Sequence, residues 1–360
     1  RVLLRLHRTE EAVSLFHAVL QTDPHNASVQ INIGIGCVLL GDFASANEAF
    51  ETALARNPEN IEAHVNYAHL LLLLGNYRKG YEEHEWRLRR PDYRDLSSFH
   101  GPMWTGEDLT GRTILLWGEQ GLGDIIHFAR YIPLIADRAG RVAVECNPAL
   151  HRLIKEIPVV DEVFDLNNAC NYDFHLPLMS LPLHCGTDKI PTEMPYLSIP
   201  RPANLGPYTG LRVGLVWAGN PKHARDRERS RELCEFAPLT ARRDVNFYSL
   251  QKGDAFRQPP PDAMNLIDLG SSFQDMADTA AAIQALDLVI SIDSAPAHLA
   301  GALGVPIWLL LPRIPDWRWG LKGEDTPWYP SMRLFRERNG WPEVIQRIAE
   351  ALTDFSPSID

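Results

Sequence analysis

The sequence lacks several features that would place it at once in a class of protein. No apolar run reaches 18 residues, so no transmembrane helix is predicted, and the N-terminus carries no signal-peptide pattern. The cysteines at positions 37, 146, 170, 185 and 234 form no C-x-x-C pair, which indicates neither a zinc site nor a disulfide framework. Basic residues are also in deficit, since 35 Lys and Arg against 46 Asp and Glu give a net charge of −11. We therefore expect a reduced, cytoplasmic protein that spans no membrane and offers nucleic acid no broad basic surface.

Familiar ligand-binding motifs are missing as well. The chain has no D-x-D motif and no His/Asp/Glu cluster of the kind that binds Mg²⁺ or Zn²⁺, so we expect no metal and no cofactor. Residues 118–124, GEQGLGD, follow the apolar run TILLW. They fit neither the dinucleotide fingerprint G-x-G-x-x-G nor the phosphate loop G-x-x-x-x-G-K-[ST]. Another function must account for these three glycines and the acid that follows them.

The first ninety residues contain a repeat with a period of 34. The residue pairs separated by this step are Pro24 and Pro58, Gly41 and Gly75, Ala12 and Ala46, and Phe16 and Phe50. A small residue, an aromatic four positions later and then a proline are typical of tetratricopeptide repeats, each of which is a helical hairpin. The pattern predicts one helix in NIGIGCVLLG and its partner in DFASANEAFETALARNP.

Such repeats usually present a concave surface to a peptide or protein, an inference from architecture rather than from particular residues. The polar side chains predicted to contact an acceptor on the first helices of the units are Gln30, Asn32, His64 and Asn66. Tyr81 and Trp86 are expected to pack where the repeats meet the segment that follows them.

After residue 92 the pattern changes to short apolar runs that alternate with helical stretches. The runs predicted as strands are TILLW, RVAVE, VVDEVFDL and YDFHLPL, then RVGLVWAG, VNFYSLQKG, MNLIDLG, DLVISID and VPIWLLLP. Helices are predicted in MADTAAAIQALD and SAPAHLAGALG. This alternation favours parallel sheets covered on both faces, in two Rossmann-like lobes joined by the proline-rich connector 190–210. The predicted domains are the repeats (1–92), a first lobe (93–205) and a second lobe (206–360).

Ligands of open parallel sheets bind beyond the carboxyl ends of the strands, and four predicted strand ends carry suitable residues. In the first, Gly121 and Gly123 let the backbone approach a ligand, and Asp124 opens a helix. An ordinary helix-capping carboxylate is the alternative interpretation of Asp124.

The second strand end, VWAGNPKHARDRERSR, crowds basic side chains around Asn220 and Lys222, although a solvated charged loop would look the same. The third carries Gln251 and Lys252, for which a surface loop is the simpler interpretation.

The fourth strand end leads from Asp293 into a helix. Ser294 is expected to cap that helix, and the small Ala295 leaves its first turn uncovered. Free amides and the helix dipole make such a turn suitable for an anion. His298 either contacts the ligand or forms a hydrogen bond within the lobe.

GLGDIIHFARYIP, VGLVWAGNPKH and DSAPAHLAGALGVP resemble segments of glycosyltransferase family 9, the heptosyltransferase-like enzymes. Repeats placed before such a domain resemble bacterial repeat–glycosyltransferase fusions. The resemblance implies the GT-B fold and inverting, metal-free transfer from a nucleotide-sugar donor. It also implies that Asp124 is the general base, that Lys222 contacts phosphate, and that Asp293, Ser294 and His298 lie at the donor.

The sequence leaves two classes of function open. One is a glycosyltransferase that acts on a protein or glycan acceptor brought by the repeats. The other is a non-catalytic scaffold whose repeats recruit a partner and whose lobes only bind a sugar nucleotide. The departures from heptosyltransferases, namely the fused repeats and the DWRWGLKGEDTPWYP segment, leave the sugar and the acceptor unidentified.

Overall fold

The computed structural model describes residues 2–6, 8–165, 171–186 and 190–357, so Cys170 lies outside the described residues. The chain divides into two compact units. The first contains the described residues of Arg1–Ser98, Gly186 and the segment Ile314–Lys322. The second contains the rest of the described chain, and with it most of both predicted lobes. Residues 314–322, which the sequence assigned to the second lobe, therefore fold with the repeats.

Consecutive helices build the first unit. They are α1 (Val2–Arg5), α2 (Thr9–Thr22), α3 (Ala27–Leu40), α4 (Phe43–Arg56), α5 (Ile61–Leu73) and α6 (Tyr77–His84). The side chains of Asn26 and Asn60, 34 residues apart, accept hydrogen bonds from the first-turn amides of α3 and α5. The apolar face of α4 is buried in the core of this unit, with Ala46 and Ala53 at 0% exposure and Phe50 at 1%. The structure thus confirms the helical hairpins that the period predicted.

The segment 314–322 packs against α5 in the first unit. Trp317 meets the ring of the buried Tyr81 edge-on, with 6.0 Å between the ring centroids. Asp316 accepts a hydrogen bond from the Arg318 guanidinium at 2.8 Å and caps the short turn Trp317–Trp319. A segment that follows a strand of the second unit in the chain therefore belongs to the unit that the repeats form.

The second unit begins with a four-stranded parallel sheet in the order β3-β2-β1-β4. Its strands are β1 (Thr113–Trp117), β2 (Arg141–Glu145), β3 (Glu162–Phe164) and β4 (Phe174–Pro177). The helices of this lobe are α7 (Leu122–Ala129), α8 (Ile132–Ala136), α9 (His151–Ile154) and α10 (Leu181–Cys185). Strands β1 and β2 coincide with the predicted runs TILLW and RVAVE, because both are apolar, β-branched and almost fully buried.

A six-stranded parallel sheet forms the other lobe of this unit, in the order β10-β9-β8-β5-β6-β7. Its strands are β5 (Leu211–Val216), β6 (Val245–Ser249), β7 (Leu266–Asp268), β8 (Leu288–Ile292), β9 (Ile307–Leu311) and β10 (Met332–Arg336). Its helices are α11 (Asp226–Arg229), α12 (Met276–Gln284), α13 (Ala295–Ala302) and α14 (Trp341–Asp354). When β5 is numbered 1, this is the 3-2-1-4-5-6 strand order of the Rossmann fold. The direction in which successive strands are added to the sheet reverses between β5 and β8. The predicted fold class of helical repeats followed by two Rossmann-like lobes is confirmed.

The sequence analysis missed the last strand and helix of this lobe. Strand β10 pairs with β9 along its whole length, and α14 buries Val344, Ile345 and Ile348 in the core of the lobe. These three residues follow the i, i+1, i+4 spacing of a helix face, so a periodicity signal was present in WPEVIQRIAEALTD.

Candidate functional site

The turn after β1 leads directly into α7, which begins at Leu122 with Gly121 as its N-cap. Asp124 is therefore the third residue of the helix rather than its first. Its carboxylate accepts a hydrogen bond from the Gly121 amide at 2.9 Å, and the side chain is half-buried. The capping role considered for Asp124 is thus present in the structure.

Helix α13 begins after β8 on the other sheet. Ser294 stands at the N-cap position as expected, but its side chain forms no capping hydrogen bond and lies 3.1 Å from the Ser291 hydroxyl instead. The amides of Ala297 and His298 already donate to the Ser294 carbonyl at 3.0 and 3.3 Å. Of the first-turn amides, only that of Ala295 has no acceptor within the described residues, so the predicted anion cradle is narrower than expected.

The starts of α7 and α13 lie in direct contact. A Cβ added to Gly123 would stand 3.0 Å from Cδ2 of His298 and 3.5 Å from Cα of Ala295. A side chain at position 123 would therefore meet the start of α13. The structure therefore brings the GLGD turn of one lobe against the SAPAH helix start of the other.

The loop after β5 is less positively charged than its arginines suggest. Residues 220–235 contain five Lys and Arg and four Asp and Glu. The ion pairs join Arg225 to Glu228 at 2.7 Å, Arg229 to Asp226 at 3.3 Å, and Arg231 to Glu235 at 3.7 Å. The predicted cation cluster is thus largely neutralised by neighbouring acids that the sequence analysis did not weigh.

Two members of this loop keep polar groups at the surface. Lys222 and Asn220 are both exposed, and the Asn220 side chain accepts a hydrogen bond from the Lys222 amide at 3.0 Å. No side chain in the described ranges binds the Lys222 ammonium. Arg229, although paired, also donates to the Asp293 carbonyl at 2.8 Å and so ties this loop to the end of β8.

The structure assigns Gln251 to a structural role instead of the predicted ligand contact. Its buried carboxamide accepts from the amides of Trp217 and Ala218 and donates to the carbonyls of Ala218 and Lys252, all within 3.1 Å. These bonds use both amide hydrogens and both oxygen lone pairs, which leaves nothing for a ligand. The ammonium of Lys252 donates to the Phe273 carbonyl at 2.5 Å, although the residue is exposed.

Two of the four predicted acceptor contacts on the repeats are buried. Both ring nitrogens of His64 are engaged, with Glu83 and with the Pro58 carbonyl, and its ring stacks on Trp86 at 3.7 Å between centroids. Asn32 is 7% exposed and donates to the Ser28 carbonyl.

The other two predicted acceptor contacts are half-buried. The amide group of Asn66 donates to the Glu62 carbonyl at 2.7 Å. Gln30 is the one of the four whose side chain forms no hydrogen bond in the described structure. The expected row of four peptide-binding groups is therefore not present in this form.

A buried polar cluster that the sequence did not predict joins the two lobes. The Tyr329 hydroxyl lies 2.9 Å from Nδ1 of His298, 3.2 Å from Nδ1 of His127 and 3.4 Å from the Tyr196 hydroxyl. The Arg130 guanidinium stacks over the Tyr329 ring at 4.5 Å. Burial, together with the neighbouring Tyr196, raises the pKa of Tyr329 well above its ordinary value, so the phenol stays protonated.

His298 takes the second of the two roles considered for it. Its ring is 5% exposed, with Nδ1 against Tyr329 and Nε2 at 3.8 Å from the Asp293 carboxylate. A hydrogen bond within the second unit is therefore observed. A direct ligand contact by His298 would require one of these partners to move.

The described residues contain neither a metal-binding cluster nor a membrane-spanning helix. No group of three or more His, Cys, Asp or Glu side chains is arranged to hold a metal ion in these ranges. Within the same ranges, no helix is long and apolar enough to cross a membrane.

Comparison with known families identifies the repeats. Residues 38–82 match the model of the tetratricopeptide repeat family. The match runs from the last three residues of α3 through most of α6, where the structure shows helical hairpins. The first unit therefore carries tetratricopeptide repeats, as predicted.

Among curated proteins, the chain is similar to the protein FlbA of Caulobacter vibrioides. The two are 32% identical over 303 residues, which cover 72% of this chain and 49% of FlbA. The chain thus spans about half the length of the curated relative it matches.

Among solved structures, the chain is similar to a family 9 glycosyltransferase from Veillonella parvula, with 14% identity, a TM-score of 0.43, and coverage of 70% of this chain and 96% of the other. It is also similar to the iron-containing dodecameric glycosyltransferase TibC of enterotoxigenic Escherichia coli, with 14% identity, a TM-score of 0.47, and coverage of 69% and 77%. A third is a Thermobaculum terrenum O-GlcNAc transferase, with 14% identity, a TM-score of 0.32, and coverage of 97% and 87%. Each of these proteins is a glycosyltransferase, the class that the sequence motifs resemble.

Proposed function

We propose that this protein, with tetratricopeptide repeats in one unit and two Rossmann-like lobes in the other, is an inverting glycosyltransferase. It moves a sugar from a nucleotide-sugar donor to a protein or glycan acceptor. The observation that carries the proposal is the contact of Gly123 with Ala295 and His298. It places the helix starts that follow β1 and β8, one from each lobe, side by side. Ligands of open parallel sheets bind at this edge, so one lobe has its donor position next to the acid of the other.

In this mechanism Asp124 is the general base. Its carboxylate already accepts the Gly121 amide, and that hydrogen bond fixes the orientation of the side chain at the start of α7. Removing a proton from the acceptor hydroxyl as it attacks the anomeric carbon lowers the barrier to transfer. The attack occurs opposite the departing nucleoside diphosphate and inverts the anomeric centre.

The second lobe supplies the groups that neutralise the diphosphate. The Lys222 ammonium, the Ala295 amide and the positive end of the α13 dipole suit an anion that gains charge as it leaves. Asp293, at the end of β8, is suited to accept hydrogen bonds from sugar hydroxyls. Such a set of donors works without a metal ion, and the family 9 resemblance implies the same. A nucleotide-sugar substrate fits the cytoplasmic setting expected from the sequence.

The repeats would bring the acceptor, because tetratricopeptide hairpins present binding surfaces to other proteins. Of the four residues first considered, Gln30 and Asn66 remain candidates for this contact, since Asn32 and His64 are buried.

A non-catalytic scaffold is the second candidate, and one observation favours it. The Asp124 carboxylate caps α7, so its presence is explained by helix stability without any chemistry. In that case the lobes bind a sugar nucleotide and the repeats recruit a partner, with no transfer.

Two substitutions at Asp124 separate these functions. Asp124→Asn keeps an oxygen that accepts the Gly121 amide but loses the base, whereas Asp124→Ala loses both. The measurement is release of nucleoside diphosphate from ADP-, GDP- and UDP-activated sugars, alongside thermal unfolding. For the enzyme we expect Asp124→Asn to fold normally and turn over about 10² to 10⁴ times more slowly, and Asp124→Ala to be about 1 kcal/mol less stable as well.

Asp137→Asn is the control, because it makes the same change of charge at an exposed position of the same lobe. A wild-type protein that binds nucleoside diphosphate but turns over no donor would support the scaffold. Near-normal turnover in Asp124→Asn would exclude Asp124 as the base.

A further inference from the structure

We infer that the Tyr329 hydroxyl is a positioning group that links His127 on α7 to His298 on α13 through two hydrogen bonds of fixed direction. The Asp293 carboxylate at the end of β8, 3.8 Å from the other nitrogen of His298, sets this direction. This link would hold the base side and the donor side of the site in register. Its catalytic consequence rests on the proposed function. The hydrogen bonds between these side chains do not depend on that function.

The contacts cross the two lobes of the second unit. His127 belongs to α7, one helical turn after Asp124, while His298 belongs to α13. The Tyr329 oxygen lies between them, 3.2 Å from Nδ1 of His127 and 2.9 Å from Nδ1 of His298. The other nitrogen of His298 faces Asp293 at 3.8 Å. Four side chains from both lobes therefore form one series, His127–Tyr329–His298–Asp293.

The number of protons available sets the direction of this series. Tyr196 donates its only hydroxyl hydrogen to the Ile126 carbonyl at 2.9 Å, so it has none to give to Tyr329. The carboxylate of Asp293 favours a proton on Nε2 of His298, which leaves Nδ1 of that ring as an acceptor. The Tyr329 hydroxyl then donates to His298 and accepts from Nδ1–H of His127.

The reverse direction is less favourable. It would place the His298 proton on Nδ1 and turn the Nε2 lone pair toward the negative charge of Asp293. It would also leave Nδ1 of His127 as an acceptor from Tyr329. Each neutral histidine has one ring proton, so the two directions predict opposite tautomers at both rings.

The packing leaves the chain little freedom to rearrange. Tyr329 is fully buried, and a Cβ on Gly301 would come within 2.4 Å of its ring, so the ring lies directly on α13. The Arg130 guanidinium holds the other side by donating to the Trp328 carbonyl at 2.6 Å while it stacks over Tyr329. The hydroxyl is therefore fixed between helices of different lobes.

The position of the Tyr329 hydroxyl bears on function because it affects both the proposed base on α7 and the proposed donor-side residue Asp293. Asp124 and His127 share α7, and Asp293 takes its neighbour from α13. Groups behind a ligand-binding residue that orient it are typically worth 10- to 100-fold in activity. Tyr329→Phe keeps the ring and removes the link, so we expect kcat to fall roughly 10- to 100-fold. The Kd for nucleoside diphosphate should change less than about threefold, since the buried Tyr329 hydroxyl lies between His127 and His298.

The direct test reads the histidine tautomers by ¹⁵N NMR of wild-type protein labelled at histidine. His127→Gln and His298→Gln identify the two signals among the 13 histidines. We expect the Nδ1–H form for His127 and the Nε2–H form for His298 at pH 7.5, and loss of the single tautomer at His127 in Tyr329→Phe. The opposite tautomers in the wild type would overturn the inference, even if Tyr329→Phe does not fold.

Two further tyrosine variants complete the design. Tyr196→Phe leaves the His127–Tyr329–His298 contacts in place, so both tautomers should persist. Tyr248→Phe removes a hydroxyl from a tyrosine that is also buried but does not belong to the series His127–Tyr329–His298–Asp293. This variant should retain wild-type kcat. If no donor is turned over, the proposed function fails, but the tautomers still test the hydrogen-bonded series of side chains. If the tautomers are as expected but Tyr329→Phe keeps full kcat, the positioning role is overturned.

Discussion

Hydrogen-bond occupancy of single side chains separates ligand-binding candidates from structural ones. Gln251 and His64 looked suitable as contacts because their polar atoms are versatile. In the structure those atoms are already engaged, by backbone groups for Gln251 and by Glu83 and the Pro58 carbonyl for His64. Breaking such a buried bond costs more than a new ligand contact returns. Lys222, exposed at the strand end, carries no such penalty.

His84 makes the stability of the repeats depend on pH. Burial, with the charges of Arg87, His69 and Arg318 nearby, holds the pKa of His84 well below its ordinary 6.5. Above pH 6.5 the imidazole is neutral in the folded and unfolded states. Below it only the unfolded chain takes up the proton, so stability falls as the pH falls. One such group costs about 1.4 kcal/mol of unfolding free energy at pH 5.5.

The measurement compares thermal unfolding at pH 7.5 and pH 5.5. The wild type should lose more stability between these values than His84→Gln, which has no titrating group at that position. His17→Gln, a change at an exposed histidine of α2, should behave like the wild type. An equal loss in wild type and His84→Gln would show that His84 does not control the acid sensitivity.

At the scale of elements, close contacts of α13 set how the helices pack. Gly301→Ala would place a methyl group 2.4 Å from the ring of the buried Tyr329, which has no room to move. Overpacking of this kind costs about 1–3 kcal/mol, while the better helix propensity of alanine returns up to about 1 kcal/mol. We expect a net loss of about 1–2 kcal/mol in urea unfolding.

Gly123→Ala is the matched comparison, because its new Cβ would meet only the edge of His298 at 3.0 Å. A few tenths of an ångström of movement relieves that contact, so the stability should change less than in Gly301→Ala. Equal effects of the two substitutions would mean that the contact with Tyr329 is not what excludes a side chain at position 301.

At the scale of the whole molecule, an anionic substrate must be bound by an acidic protein. The net charge of −11 offers no general attraction, so binding depends on a few local donors. We expect nucleoside diphosphate at 100 times its Kd to stabilise the protein by about 2.7 kcal/mol, and chelator to leave this effect intact. Differential scanning calorimetry with and without EDTA measures both.

Two basic residues of the same loop test how the anion is held. Lys222→Ala should weaken diphosphate binding by about tenfold, the cost of one charge-assisted hydrogen bond. Arg225→Ala should change it by less than about threefold, because the Arg225 guanidinium is already paired with Glu228. Equal losses would indicate that the net charge of the loop matters rather than Lys222. A strict requirement for Mg²⁺ or Mn²⁺ would contradict metal-free binding.

The sequence by itself determined the repeats and the alternation of strands with helices, except for β10 and α14 at the end of the second lobe. These follow from the sequence alone, since the apolar runs of β1 and β2 each lie within five residues, and the 34-residue period shows when consecutive repeat units are compared. The GLGD and SAPAH turns were also identifiable, because each occupies a few consecutive residues at a strand end. The base role of Asp124 and the donor roles of its partners stay predictions from this pattern.

Only the tertiary structure decided which polar atoms are already engaged and which residues meet. Tyr329 and His127 are 202 positions apart, so no local pattern could pair them. The placement of residues 314–322 with the repeats likewise depends on contacts between Trp317 and Tyr81, far apart in the chain. Periodicity reports the face a side chain occupies, whereas its hydrogen-bond partners depend on how distant segments pack.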